Sequence, residues 1–168
     1  DTPDRYGRQH AFPVPAGDAA PVQLTLLAQG AALASGLATP PACAAEFAAA
    51  EAVARAAGRG LWAVPGTVLD TARPAEILAK LGQFAIVEGE VRSVRQAGAT
   101  VYVNFGPRWT RDFAATISRR LLPAFERAGL APLSLARRRL RVRGVIERRG
   151  GPRIEVIEVG QIDAASGR

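Results

Sequence analysis

The hydrophobic pattern of the chain changes its period near Gln83, and this change most constrains the fold. Before it, apolar residues recur at helical spacing, as in 22–33 and 44–56. After it, they alternate with polar residues, as in 87–92 and 140–147. Helical spacing predicts amphipathic helices, whereas alternation predicts strands that are buried on one face. The sequence therefore predicts an α+β protein, with its helices concentrated in the first half and its sheet in the second.

The first half predicts one strand and two helices. Residues 11–14 read as an edge strand or an irregular one, because the proline within them has no backbone donor. A helix of roughly 13 residues follows from Val22, with Asp18 as a candidate N-cap. A second helix begins at Thr39-Pro40-Pro41, and Gly58 stands where a C-terminal glycine is expected.

The second half predicts three strands, a helix and two strands. This is the element order of a five-stranded OB-fold β-barrel with one helix. The strands are 83–92, 101–105, 113–117, 140–147 and 154–156, and the helix is 119–128. A linker with a short helix at 74–81 precedes them. We expect three regions: 1–63, a linker with a short helix at 64–82, and the OB-like domain at 83–165.

Two cross-strand contacts follow from this alternation. If Ile146 and Ile154 both face inward, a three-residue loop places Glu147 opposite Arg153. On the outward face, Glu88 and Glu90 of the first strand are expected to neutralise the arginines of the fourth strand. Those arginines are Arg141 and Arg143.

Charge is distributed unevenly along the chain. Residues 1–70 carry four arginines and six carboxylates, a net charge of −2. Residues 71–168 carry 18 basic and nine acidic side chains, a net charge of +9. A basic half favours a polyanion partner such as nucleic acid. A GC-rich genome would also produce this bias, because Lys80 is the only lysine among 22 basic residues.

Aromatic and arginine side chains mark a candidate nucleic-acid surface in the OB-like half. Stacking on aromatic rings combined with phosphate contacts from arginines is typical of single-strand binding. The alternative is a structural or docking role, in which Trp109 caps the barrel and the outward carboxylates neutralise the arginines. The candidate residues are Tyr102, Arg108, Trp109, Arg111, Arg148 and Arg149.

A second candidate site lies near the start of the chain, at Asp4-Arg5-Tyr6-Gly7-Arg8. Gly7 predicts a tight turn that directs Tyr6 and Arg8 to defined sides. The Arg8 guanidinium is a rigid fork of donors that fits phosphate oxygens. The alternative is a surface turn with an ion pair from Asp4 to Arg5 or Arg8. His10 has no second His or nearby Cys, and reads as a solvated residue.

Residues 4–63 resemble the C-terminal half of the staphylococcal nuclease (thermonuclease) family. The resemblance rests on D-x-Y-G-R, a following strand, a helix ending L-x-x-G-x-A, a second helix rich in Ala and Glu, and G-R-G-L-W. It implies metal-assisted phosphodiester hydrolysis, with Arg8 contacting the scissile phosphate and Tyr6 lining the nucleotide site. It also implies calcium for the intact family site, and a periplasmic or secreted bacterial protein.

Two departures limit what this resemblance implies. The family's metal-binding carboxylates, its general-base glutamate and its other catalytic arginine all precede the D-x-Y-G-R turn, and three residues precede that turn here. The loop 36–40 also lacks the aromatics that the family often has there. We therefore expect no metal site in these residues and no activity from them alone. A segment upstream of Asp1, or another chain, is expected to complete the first domain. The alternative is that its two helices pack on the second half of the chain.

The second half also resembles the small OB-like domains appended to bacterial thermonuclease-family proteins, through V-E-G-x-V-x-S-V and Y-V-N-F-G-x-R-W-x-x-D-F. Two hypotheses follow. The chain is part of a thermonuclease-like phosphodiesterase that hydrolyses nucleic acid, or it is a non-catalytic module that binds nucleic acid or a protein. The sequence predicts no membrane span, and its single cysteine, Cys43, excludes an internal disulfide.

Overall fold

A computed structural model describes residues 3, 5–8, 11–17, 20–37 and 41–165. Contacts divide the chain into two compact units. The first takes its described residues from Asp1–Ala34 and Pro40–Val64, and the second from Ser35–Thr39 and Pro65–Arg168. The predicted features at Asp4, His10, Asp18 and Thr39-Pro40 lie outside the described residues. The described helices include none that is long and apolar enough to cross a membrane.

The first unit is a pair of helices followed by one short 3₁₀ helix. Helix α1 is Val22–Gln29, helix α2 is Pro41–Ala56, and the 3₁₀ helix is Gly60–Ala63. Helix α1 is shorter than the predicted 13 residues, because Gly30 adopts φ 70° and caps its C-terminus. The predicted C-terminal glycine of α2 is confirmed, since Gly58 has φ 58°.

Two glycines allow the end of α1 to meet the turn after α2. A Cβ at Gly30 would lie 2.2 Å from the carbonyl oxygen of Arg59, and one at Gly60 would lie 2.4 Å from the carbonyl oxygen of Gly30. The amide of Leu61 donates to the Gly30 oxygen over 2.8 Å. The L-x-x-G-x-A and G-R-G-L-W segments are therefore in backbone contact within this unit.

The strand predicted at 11–14 does not form in the structure. These residues are extended and exposed, and the described part of the chain supplies no strand to pair with them. They contact both helices instead. The Phe12 ring packs on Phe47 of α2, with ring centroids 5.8 Å apart, and the backbone is hydrogen-bonded to α1. The amide of Val22 donates to the Pro13 oxygen over 2.9 Å, and the Gln23 side chain donates to the Ala11 oxygen over 3.0 Å. An isolated strand has no partner for its backbone groups, so the segment remains irregular.

The second unit is a mixed α+β structure, which confirms the predicted class at that level. Its helices are α3, Pro74–Leu78, and α4, Leu122–Arg127, with 3₁₀ turns at Arg119–Leu121, Pro132–Ser134 and Val159–Gln161. Its strands are β1 Val68–Asp70, β2 Phe84–Glu90, β3 Ser93–Ala97, β4 Thr100–Asn104, β5 Ala114–Ser118, β6 Arg139–Val145, β7 Glu147–Arg149, β8 Gly151–Val156 and β9 Ile162–Ala164.

The strands form two sheets, with orders β1-β2-β6-β9 and β3-β4-β5-β8-β7. The predicted first strand, 83–92, corresponds to β2, and the predicted fourth strand, 140–147, corresponds to β6 and the first residue of β7. Both segments continue from one sheet into the other. Three strands lie outside the predicted ranges. Strand β3 follows β2 after two residues and pairs with β4. Strand β1 lies in the expected linker and pairs in parallel with β2, and β9 pairs with β6.

Gly89 explains how β1 can lie against β2. A Cβ at this position would lie 1.8 Å from the Thr71 hydroxyl oxygen, so glycine here leaves room for the side chain of Thr71, the residue after β1. The Thr71 amide donates to the Glu88 oxygen over 3.0 Å. The bend predicted from a glycine within the strand is therefore the point at which a neighbouring segment approaches.

Alternation along the strands produces the core of the second unit. Its inward residues include Val87, Val101, Val103, Phe113, Ile117, Phe125, Leu140, Val142, Ile146 and Ile154. The predicted register of the last hairpin is confirmed. Glu147 lies opposite Arg153, and their side chains form an ion pair of 2.6 Å.

The second face of β2 and β6 carries a ladder of charges, in which Arg141 and Arg143 are buried. Glu88 accepts from Nε of Arg139 over 2.7 Å and from Nε of Arg141 over 2.8 Å. Arg143 donates to Asp163 on β9 over 2.7 Å, and Arg141 also lies 3.3 Å from Asp163. The prediction is therefore correct for Glu88 and Arg141. It is wrong for Arg143, because β9 supplies its carboxylate, and for Glu90, which forms no ion pair with the described arginines.

We predict that Glu88→Gln destabilises the second unit by about 2–3 kcal/mol at pH 7, because Arg141, which is 4% exposed, loses one of its two carboxylates. Burial raises the pKa of Glu88, but the hydrogen bonds and charges of Arg139 and Arg141 outweigh it, so the net pKa is lowered. The stabilisation is therefore present above the ordinary carboxyl pKa and is lost as pH falls below it.

Denaturant unfolding between pH 3 and 7 tests this prediction. The difference between wild type and Glu88→Gln should narrow on acidification. Glu90→Gln is the matched control two residues along β2, because no described cation pairs with Glu90, and it should change stability by less than about 0.5 kcal/mol. A gap between wild type and Glu88→Gln that stays constant with pH would contradict the assignment.

Candidate nucleic-acid interface

An open cleft of about 1240 Å³ lies on the outer face of the β3-β4-β5-β8-β7 sheet. Its floor follows from strand alternation. Val101 and Val103 of β4 are buried, so Tyr102 and Asn104 point outward. Arg95 lies opposite Tyr102 on the neighbouring strand. The whole lining is Glu90, Val91, Arg92, Ser93, Arg95, Ala97, Tyr102, Asn104, Phe105, Gly106, Pro107, Trp109, Ala114, Arg137, Arg149, Gly151, Pro152 and Arg153.

The loop 106–112 forms one wall of the cleft, and Asp112 holds it together. The Asp112 carboxylate accepts the amide of Arg108 over 2.8 Å, and the Asp112 amide donates to the Arg108 oxygen over 2.7 Å. A Cβ at Gly106 would lie 2.3 Å from this carboxylate. Gly106 therefore leaves the space in which Asp112 closes the loop, and G-x-R-W-x-x-D is a structural unit.

The β7–β8 hairpin packs against this loop. Gly150 turns the hairpin with φ 80°, and the Gly151 amide donates to the Trp109 oxygen over 3.3 Å. A Cβ at Gly151 would lie 2.5 Å from the backbone carbonyl oxygen of Asp112. The backbone of the Trp109 loop is thus fixed from two sides, while its ring remains 72% exposed. That exposure argues against a buried cap at the end of a barrel.

Three aromatic side chains line the cleft, and they differ in exposure. Trp109 is the most exposed and Tyr102 is 37% exposed, so both offer a ring face to solvent. Phe105 is partly buried and packs on Phe113, with ring centroids 5.2 Å apart. Two rings are therefore available for stacking, and the third helps to anchor the wall.

The charge of the cleft is strongly positive. Five of its lining residues are arginines, and the only carboxylate among them is Glu90. Arg153 is paired with Glu147, but no carboxylate among the described residues forms an ion pair with the other four. These four are Arg92, Arg95, Arg137 and Arg149. An unpaired guanidinium in a cleft attracts anions, and phosphate suits its geometry.

The cleft contains part of the predicted surface. Tyr102, Trp109 and Arg149 line it, whereas three other predicted residues do not. Those three, Arg108, Arg111 and Arg148, are exposed outside the lining.

Three arginines of the cleft were not predicted from the sequence: Arg92, Arg95 and Arg137. Two of them precede or lie on β3, and one lies in the turn before β6. Arg95 could have been predicted, because it pairs with Tyr102 across the first hairpin and so shares its outward face.

Tyr6 and Arg8 lie in the first unit. Gly7 has φ 76°, as the predicted turn requires, and the Arg8 guanidinium lies 5.1 Å from the Tyr6 ring centroid. Both side chains are exposed. Within the described ranges no three His, Cys, Asp or Glu side chains cluster as metal ligands would. The catalytic role of Arg8, the substrate role of Tyr6 and the expected calcium remain predictions.

Comparison with known proteins identifies no family for the chain. No protein-family model matches it, and neither does any curated protein. The comparisons therefore do not support the staphylococcal nuclease resemblance. Similar solved structures do exist, and they are OB-fold-like.

One similar structure is an OBody bound to hen egg-white lysozyme, with 20% identity over 56% of this chain and 90% of that one, at a TM-score of 0.40. Another is a putative aspartyl-tRNA synthetase from Leishmania major Friedlin, with 8% identity over 60% of this chain and 21% of that one, at a TM-score of 0.42. Asparaginyl-tRNA synthetase from Pyrococcus horikoshii has 17% identity over 51% of this chain and 20% of that one, at a TM-score of 0.36. The chain spans about a fifth of each synthetase, and at these scores the functional argument rests on the cleft alone.

We predict that Asp112→Ala loosens the loop that carries Trp109. The variant leaves the Arg108 amide without its acceptor, so the tryptophan should move more freely. Fluorescence anisotropy in a Trp62→Phe background reports on Trp109 alone, because the chain has two tryptophans. A clear fall is expected for Asp112→Ala and almost none for Arg111→Ala, which removes only an exposed 3.7 Å contact. Equal anisotropy in Asp112→Ala and the parent would contradict the anchoring role.

Proposed function

We propose that the second unit is an OB-fold domain that binds single-stranded nucleic acid in the arginine–aromatic cleft. The fold is supported by the pairing order. Strand β2 continues into β3 after two residues, and β6 into β7 after one. The five resulting segments pair in the sequence β3-β4-β5-β8-β7, and β6 pairs with β2. This is the strand order expected for a five-stranded OB barrel.

The observation that carries the ligand proposal is the grouping of four unpaired arginines with two exposed rings in one cleft. Arginines neutralise the phosphates of a strand, and rings stack on its bases. In a duplex, the base faces are covered by neighbouring pairs, so stacking requires an unpaired strand. Tyr102 and Trp109 therefore favour a single strand over a duplex.

Little in the cleft would read a particular sequence. Among its lining residues, Asn104 carries the only side-chain amide, and that group donates to Ser93 over 3.4 Å. Stacking and phosphate contacts are the same for all four bases apart from stacking strength. We therefore expect a preference for unpaired strands with weak sequence dependence.

We predict that Trp109→Leu weakens binding of a fluorescein-labelled oligothymidylate by roughly 5- to 100-fold, the range expected for one stacked base. Arg149→Gln should weaken it roughly 3- to 10-fold and reduce its salt dependence. Arg148→Gln is the matched control, because Arg148 is the neighbouring exposed residue on β7 but lies outside the cleft. Fluorescence anisotropy titrations from about 50 to 200 mM salt measure all four proteins.

Two outcomes would contradict the proposal. Binding that is absent at low salt, or that does not change with salt, would exclude a phosphate-binding cleft. Competition by polyglutamate as effective as that by an oligothymidylate of equal charge would show that the bases contribute nothing. That result would favour an acidic protein segment as the ligand.

We further propose, on the sequence resemblance, that the first unit is part of a thermonuclease-like phosphodiesterase. The turn geometry is consistent with it, because Gly7 has a positive φ and Arg8 is exposed beside the Tyr6 ring. In this proposal Arg8 stabilises charge that develops on the phosphoryl oxygens, and Tyr6 contacts the nucleotide. Calcium would be held by residues outside those described.

We predict that Arg8→Ala lowers calcium-dependent cleavage of DNA and RNA by the natural protein by about 100-fold or more, as expected for loss of one group that stabilises transition-state charge. Arg5→Ala is the matched control, because Arg5 also lies over the Tyr6 ring, at 4.7 Å, but falls outside the Y-G-R element. Cleavage unchanged by Arg8→Ala would remove Arg8 from the catalytic site.

A further inference from the structure

Arg137 has a backbone conformation that arginine rarely adopts. Its φ is 65°, and among the described residues no other non-glycine residue has a positive φ. It stands in the turn 135–138, where the Arg138 amide donates to the Leu135 oxygen over 3.0 Å. The third position of such a turn favours glycine when φ is positive, because a Cβ there is strained. Arginine at this position therefore requires an explanation.

The turn is firmly anchored to Val91, the residue after β2, and to the core. The Arg137 amide donates to the Val91 oxygen over 2.8 Å, and the Val91 amide donates to the Arg138 oxygen over 2.9 Å. Val91 and Leu135 are both fully buried. The surrounding structure therefore determines the left-handed conformation, and the residue cannot relax to a more favourable φ by local movement.

Interactions within the described part of the protein do not account for arginine at this position. The side chain is exposed, and no described carboxylate forms an ion pair with it. It lines the cleft instead, as does Arg92, and its amide is hydrogen-bonded to Val91, the residue before Arg92. Strained residues that persist in a well-determined backbone occur preferentially at ligand sites.

We propose that Arg137 and Arg92 bind a phosphate group of the nucleic-acid strand, at the β2–β3 end of the cleft. The identity of the strand rests on the proposed function, whereas the anion-binding role rests on the backbone conformation and position of Arg137. The guanidinium fork accepts two phosphate oxygens at once, and a fixed backbone presents it in one place. The aromatic rings Tyr102 and Trp109 then contact bases further along the same cleft.

Thermal unfolding of the 168-residue chain tests the strain. Arg137→Gly should leave the midpoint of the second unit unchanged or raise it by up to about 5 °C, because relief of strain offsets the added freedom of the unfolded chain. Ala136→Gly is the matched control in the same turn. It has no strain to relieve, so its midpoint should fall by about 2–4 °C. A midpoint for Arg137→Gly as low as that of Ala136→Gly would overturn the strain argument.

Binding of a labelled oligothymidylate of about 12 nucleotides tests the site. Arg137→Gly should weaken binding roughly 3- to 10-fold and lower the salt slope by about 0.7, the value for one phosphate contact. Arg137→Lys keeps the charge and should keep the slope. If wild type binds and Arg137→Gly binds equally well, the phosphate role is overturned while the cleft proposal survives. If wild type does not bind, both are overturned.

Discussion

The second unit depends on how it compensates two arginines that it buries. Arg141 and Arg143 lie on β6, each 4% exposed or less, and a buried cation is costly unless it is paired. Glu88 on β2 and Asp163 on β9 supply the carboxylates. The charge ladder therefore joins three strands of one sheet through their side chains as well as their backbones. Alternation did not predict β9, and the ion pair of its Asp163 with Arg143 explains why this strand belongs to the sheet.

The same two segments differ in how their charge is compensated in the two sheets. Where β2, β6 and β9 pair, Glu88 and Asp163 form ion pairs with the arginines of β6. After the chain passes into β3 and β7, Arg95 and Arg149 line a cleft that contains one carboxylate, Glu90. The arginines of this half therefore fall into two groups: those that pair with carboxylates within the sheet, and those that are exposed in the cleft. Only the arginines exposed in the cleft are relevant to binding an anion.

Alternation was sufficient to predict the core, the class of fold and the register of Glu147 with Arg153, because a slip by one residue would bury the wrong face. Short elements were missed. Strand β1 has three residues and too little pattern to detect, and the strand expected at 11–14 has no described partner. The cleft was predicted only in part, because Arg137 joins it through a turn, whereas Arg108 looks equivalent in sequence but points elsewhere.

The contact between the two loops of the cleft limits how these loops can vary in length. Backbone atoms of Gly151 and Asp112 are so close that no side chain fits between them, and Gly150 sits against Trp109. An insertion in the hairpin would displace the opposite loop, and an insertion there would displace the hairpin. The two loops can therefore change in length only together. Homologues should keep both lengths or alter both, and a graft of either loop into another protein should carry its counterpart.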